Sequence, residues 1–167
     1  KEKELSDVST LIQGQNYIDF GYFSDINFED FDLSGCVFRC CFFAKADLSE
    51  ANLNHTDFVN CVLTGANLST QDLRDVEFTN CDLSRTNLDR SQFERVKFQD
   101  CDVSRADLAQ SRFTGTSEII NTKLHAADLT DLTVEQNLIE EYQSPYGDSG
   151  RKAARDYRAW SQVAMDN

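Results

Sequence analysis

Apolar residues recur along this chain every five positions. From Ile18 the steps run through Phe23, Phe28, Leu33, Phe38, Phe43, Leu48, Leu53, Phe58 and Leu63. They continue through Leu68, Leu73, Phe78, Leu83, Leu88, Phe93, Phe98, Val103, Leu108 and Phe113, without a polar interruption. Neither a helix, with about 3.6 residues per turn, nor a long strand, alternating every two, has such a period. Two residues before many centres stands a small residue (Ala46, Ala51, Cys61, Ala66, Cys81, Ser91), and between the two an Asp or Asn (Asp47, Asn52, Asp57, Asn67, Asn87, Asp107). Small, polar, large is the alternation of a very short strand with two side chains in and one out. The next pair, as in Ser49-Glu50, Thr64-Gly65 or Ser84-Arg85, is polar and reads as a turn. A chain that turns after every short strand must coil. One coil cannot bury its own inner face, but stacked coils can.

Rarer residues set the size of the coil. Cys41, Cys61, Cys81 and Cys101 recur every 20 residues, and so do Phe38, Phe58, Phe78 and Phe98. Like side chains stack well in adjacent rungs, so a coil of four pentapeptides with a square cross-section is expected, these residues forming its core columns. Asn60 with Asn80, and Asn67 with Asn87, stack by the same arithmetic.

Ala46-Asp47-Leu48-Ser49-Glu50, Ala51-Asn52-Leu53-Asn54-His55, Ala66-Asn67-Leu68-Ser69-Thr70 and Ala106-Asp107-Leu108-Ala109-Gln110 resemble the A(D/N)LXX motif of the pentapeptide-repeat family. The resemblance spans residues 16–134. It implies an all-β solenoid, a right-handed quadrilateral parallel β-helix of about six coils. It implies little about function, because the family is diverse. The register slips once: after Phe113 the centres are Ile119, Leu124, Leu129 and Val134, so Thr114–Glu118 holds one extra residue. That residue is either a bulge absorbed at a corner or a bump for a partner.

Solenoid ends need caps. In residues 1–15, Leu5, Val8, Leu11 and Ile12 share one helical face, and Gly14 suits a helix stop. In residues 135–167 a helical hairpin is expected. Thr133 and Gln136 make a capping-box pattern, Ser144-Pro145-Tyr146-Gly147 a turn, and Ala153, Tyr157 and Trp160 one face of a second helix. That face serves either as a lid on the last coil or as a homodimer surface.

The 167 residues carry a net charge of -13, which argues against direct binding of nucleic acid through its phosphates. No apolar run is long enough to span a membrane. His55 and His125 lack ligands at metal spacing, and no phosphate loop or nucleophile motif is present, so no cofactor, no metal and no enzymatic activity are expected. Four of the six cysteines occupy the small inward slot, where Cys acts as a buried hydrophobe. Cys36 is inward too, and Cys40, on a turn, is the candidate exposed thiol. Free thiols favour a reducing, cytoplasmic setting, although some members of the resembled family are thylakoid-lumenal.

Two functions from different classes fit: a rigid scaffold that docks another protein, and, as the resemblance implies because the family includes acidic quinolone-resistance proteins, a DNA mimic that shields gyrase from quinolones. Lys45, Arg85 and Arg105 form a basic column, read here with Arg39 and Arg74 beside it, which weakens the mimic. The outward position of each unit should be polar, yet Tyr17, Tyr22, Val37, Phe42 and Val62 occupy it near the N-terminal end. Tyr22, Phe42 and Val62 fall in one column, Tyr17 and Val37 in the adjoining one. These five are the candidate partner-binding residues, unless residues 1–15 fold back over them.

Overall fold

The computed structural model describes Ser9, Ile12 and residues 16–135, with the backbone of 139–143 and 149–153. The first ten strands are three residues long or shorter: β1 (Tyr17–Asp19), β2 (Val37–Arg39), β3 (Asp57–Val59), β4 (Asp72–Arg74), β5 (Glu77–Thr79), β6 (Gln92–Glu94), β7 (Lys97–Gln99), β8 (Arg112–Thr114), β9 (Glu118–Ile120) and β10 (Thr133–Val134). All their pairings are parallel, and the register confirms the 20-residue step: Phe38 stands beside Phe58, Phe58 beside Phe78, Phe78 beside Phe98. Isolated bridges with the same offset hold the two remaining sides, through Tyr22, Phe42, Val62 and Asp82, and through Asn27, Asp47, Asn67 and Asn87. The fold is therefore a parallel β-solenoid of about six coils. Its sides are called here faces 1 to 4, led by Ile18, Phe23, Phe28 and Leu33.

The core is a set of columns. Phe38, Phe58, Phe78 and Phe98 are buried, with ring centroids 5.4, 5.1 and 5.0 Å apart and planes within 16° of parallel. Phe93 and Phe113 stack on face 4 at 4.4 Å. Outward Asn and Asp residues link coils as well: Asn67 Nδ2 donates to Asp47 Oδ1 at 3.1 Å, and Asn80 Nδ2 to Asn60 Oδ1 at 2.7 Å.

The corners decide how tightly the chain can coil. The second residue after nearly every centre has positive φ, including Lys45 (57°), Arg85 (59°) and Arg105 (59°). Such backbone is unfavourable for long side chains, so the ladders on either side impose it. Many corners are closed by a backbone bond of the β-turn type, such as Ala66 N–H to Leu63 O at 2.9 Å. Others are closed by a side chain from the next coil. Gln71 N–H donates to Ser91 Oγ at 3.2 Å, and Ser91 Oγ–H donates to Leu68 O at 2.9 Å. Ser111 does the same for Ser91 and Leu88, and Cys41 for Gly21 and Ile18, both at 3.3 Å. The inward Cys residues thus do more than fill space. Cys61, Cys81 and Cys101 direct Sγ–H at the carbonyls of Phe38, Phe58 and Phe78, at 3.2 to 3.3 Å.

The extra residue near Phe113 is absorbed at the corner leading from face 4 to face 1. Gly115 takes φ +66°, and β9 resumes the ladder with Ile119 opposite Phe98, an offset of 21. Ser117 enters the inward slot, accepting from Val96 N–H at 3.1 Å and donating to Thr114 O at 3.0 Å.

The C-terminal end differs from the expected helical cap. At the C-terminal end, β11 (Ile139–Gln143) joins β9 in parallel and β12 (Ser149–Ala153) returns antiparallel to it, so the face 1 sheet reaches eight strands. Thr133, read as a helix cap, lies in β10 opposite Arg112. A strand continues the ladder and occupies the backbone groups of β9 that a helix would leave open. Trp160 and the remainder of the expected second helix lie outside the described residues. So does most of the expected N-terminal helix. Of that segment only Ser9 and Ile12 are described, both with helical backbone, and Ile12 is buried with the core.

Candidate functional site

The outward apolar residues come together on the edge between faces 1 and 2. Tyr17 pairs in register with Val37, and Tyr22, Phe42 and Val62 follow one another on face 2. The Tyr22 and Phe42 rings lie 6.0 Å apart. Tyr22 is 74% exposed, Tyr17 62% and Phe42 46%, while Val37 and Val62 are half-buried. Phe20, which the five-residue pattern passes over, is the most exposed of the group at 79%. It occupies the corner itself, at φ 58°, one coil before Cys40. Its signal in the sequence is an aromatic residue at a turn position that is otherwise mostly polar. Among the described residues the large exposed apolar side chains are Tyr17, Phe20, Tyr22 and Phe42, all within the first two coils.

Cys40 lies in this cluster and is only partly covered, whereas the other five free cysteines are buried. Burial and the neighbouring Asp32 carboxylate push the Cys36 thiol up. The adjacent thiols of Cys101 and Cys61, with burial, keep the Cys81 thiol protonated.

Charges are arranged unevenly around the coil. Arg39 on face 1 holds Asp19 of the preceding coil through two bonds of 2.7 Å, and its guanidinium sits 5.5 Å from the Tyr17 ring centre. Arg95 holds Asp75 through bonds of 2.6 and 2.8 Å and also meets Glu94. These contacts keep the Asp19 and Asp75 carboxyls below the usual carboxylate range. Arg74, Arg90 and Arg112 are likewise bound to carboxylates. Arg39 and Arg74 thus belong to ion pairs on faces 1 and 4, away from the basic column of face 2. Lys45, Arg85 and Arg105 do form that column: their N–H groups donate in turn to Thr64, Ser84's successor Ser104, and His125 carbonyls. All three are exposed, and none forms an ion pair among the described residues. Face 3 is the acidic side, with Arg90 as its one cation beside eight carboxylates that include Asp47, Glu50 and Asp107. No cluster of metal-ligating side chains occurs among the described residues.

A model of the pentapeptide repeat region matches residues 22–87 and 71–143. The chain belongs to the pentapeptide-repeat family. No curated protein matches it in sequence. Solved structures similar to this pentapeptide-repeat protein include QnrB1, a plasmid-mediated fluoroquinolone resistance protein, at 17% identity and TM-score 0.47, with 71% of this chain and 62% of that one covered. This chain thus spans less than two thirds of that relative. Another is HetL of the cyanobacterium Nostoc sp. strain PCC 7120, involved in heterocyst differentiation regulation (16% identity, 79% and 71% covered, TM-score 0.25). A third comes from the Arabidopsis thaliana thylakoid lumen (21% identity, 71% and 68% covered, TM-score 0.30).

Proposed function

We propose that this pentapeptide-repeat protein is a non-enzymatic scaffold that docks a protein partner on the edge built by Tyr17, Phe20, Tyr22, Val37, Phe42 and Val62. The observation that carries this reading is the gathering of the large exposed apolar side chains on one edge of an otherwise polar rod. Contiguous patches of that kind mark contact surfaces, and short strands locked in a 20-residue ladder hold these side chains on a rigid support. Phe42→Asp is the test. Proteins retained from a native extract by the wild type should be lost by the variant, with the unfolding midpoint unchanged. A lowered midpoint with unchanged retention would instead make Phe42 a structural residue and remove the site.

A second reading is favoured by the acidity of face 3: mimicry of the DNA backbone, protecting gyrase from quinolones. A supercoiling assay with gyrase and a quinolone separates the two. Protection that survives Phe42→Asp would support the mimic, and no protection would leave the scaffold.

A further inference from the structure

Face 2 is unlike the other three, and its two peculiarities adjoin. In coils one to three its middle column is apolar, with Tyr22, Phe42 and Val62. Along its corner with face 3 run Lys45, Gly65, Arg85 and Arg105. Elsewhere in the described solenoid, Arg39, Arg74, Arg90, Arg95 and Arg112 each have a carboxylate partner. The three cations of this corner have none, although carboxylates outnumber cations about two to one in the whole chain, 29 to 16. Two of them, Arg85 and Arg105, occupy the same slot in consecutive coils, about 4.8 Å apart along the axis. Like charges so stacked repel one another unless an anion lies between or over them. The carboxylates of this face do not serve. Asp82 Oδ1 accepts from Ser84 N–H at 2.9 Å and Asp102 Oδ1 from Ser104 N–H at 3.0 Å, while Lys123 follows Asp102 in the middle column. Counting its outward and corner positions, face 2 carries four cations (Lys45, Arg85, Arg105, Lys123) against three carboxylates (Asp25, Asp82, Asp102). It is the face on which positive charge prevails.

We propose that face 2 is one continuous docking strip for an acidic protein segment with an apolar anchor. The anchor seats on Tyr22, Phe42 and Val62, and carboxylates that follow it pair with Lys45, Arg85 and Arg105. The inference rests on the apolar edge being the docking site and adds the chemistry of what docks there. From Tyr22 to Arg105 is four coils, roughly 19 Å, which about six extended residues or some thirteen helical ones would span. Complementary charge of this kind selects the partner and its orientation, while the apolar contact supplies most of the affinity. A second copy of this chain is a poorer occupant, because two molecules of net charge -13 repel.

The probe is a fluorescein-labelled twelve-residue peptide with Leu and Phe at one end and four Glu in the remainder, beside matched peptides with Gln or Lys in place of Glu. Anisotropy against the full chain reads affinity, and the rate of Cys40 modification reads location. The Glu peptide should bind about tenfold more tightly than the Gln peptide. It should slow modification of Cys40, and it should weaken as salt rises from about 0.05 to 0.5 M. Arg85→Glu with Arg105→Glu should reverse the preference towards the Lys peptide. Arg85→Asn with Arg105→Asn, which suits the left-handed corner backbone, serves if the double Glu variant unfolds, and should abolish the preference. Equal binding of all three peptides with continued loss on Phe42→Asp would overturn the acidic strip and leave the apolar docking reading standing. Binding unaffected by Phe42→Asp would overturn the docking reading itself. Absence of binding by any peptide up to about 1 mM, or a concentration-dependent dimer abolished by Phe42→Asp, would overturn the proposal.

Discussion

The first two coils and the middle coils use the same five-residue grammar and pack differently. In the middle, aromatic rings lie over one another along the axis, Phe58 to Phe78 and Phe78 to Phe98 tilted by only 7° and 8°. In the first coils they crowd within and between rungs and meet edge to face. Phe23 and Phe28 are inclined at 76°, Phe38 and Phe43 at 89°, Phe28 and Phe31 at 78°. Identical residues repeated at a fixed translation in an unbroken column repeat their orientation, whereas Phe23 and Phe43, one coil apart but crowded by Phe28 and Phe38, are inclined by 35°. Several rings sharing one coil have no such constraint and adopt the quadrupole-favoured tilt. The outer surface changes with the interior. Where the core is regular, outward positions are mostly polar, as at Asp57, Asn67, Glu77 and Asn87. Where it is irregular, they carry Tyr22 and Phe42. The first coils therefore depart from the regular repeat both inside and outside.

The sharpest way to break this contrast is to remove one ring of the stack. Phe78 is buried between two neighbours at 5.1 and 5.0 Å, so Phe78→Ala should cost about 3–5 kcal/mol in a denaturant titration. Phe42→Ala, on the exposed edge, should change stability by less than about 0.5 kcal/mol. Equal losses would mean that the outer aromatic is structural.

A smaller loss is expected at Gly21, where an added Cβ would stand 2.3 Å from the Phe23 ring. That ring is buried among Phe28, Phe38 and Phe43 and cannot swing freely. Gly21→Ala should therefore cost about 1–3 kcal/mol through overpacking. Thermal unfolding unchanged from wild type would show the first coil to be looser than its geometry implies.

Corners closed by a side chain give a third comparison. Ser91→Ala leaves Leu68 O and Gln71 N–H without the hydroxyl that joins them, for about 1–2 kcal/mol. Cys81→Ser keeps a donor aimed at Phe58 O and should cost less than about 1 kcal/mol. If the two substitutions cost the same, the inward Cys acts through volume alone.

The smallest effect concerns acid. The Arg95 hydrogen bonds hold the Asp75 carboxyl below its ordinary value of 3.8, with burial opposing. A depressed carboxyl stabilises the fold above that value, and the contribution is lost as pH falls through and below it. Arg95→Gln should thus lower the unfolding midpoint slightly at neutral pH and not at all near pH 2. A difference that persists in acid would mean that the Arg95 stem, not its charge, is what matters.

The five-residue period determined the fold by itself. Twenty uninterrupted apolar centres admit no helix or long strand, and the 20-residue recurrence of Cys and Phe set the coil, because stacking identical side chains needs that offset. The outward apolar residues were also legible, since they violate the pattern. Tertiary structure alone decided the rest. Phe20 lies off the register of centres; the 20-residue step sets it one coil before Cys40, but only the structure shows it to be the most exposed of the apolar group. The double role of Cys and Ser at the corners depends on the coil above. The sequence spacing from Ser91 to Leu68 contains no local signal of a bond. The C-terminal strands replace a helical pattern that is locally sound, because the ladder at β9 offers the incoming backbone more partners than a helix end does. The separation of free from paired arginines likewise followed from which face each side chain meets, and no count of charges along the chain reveals it.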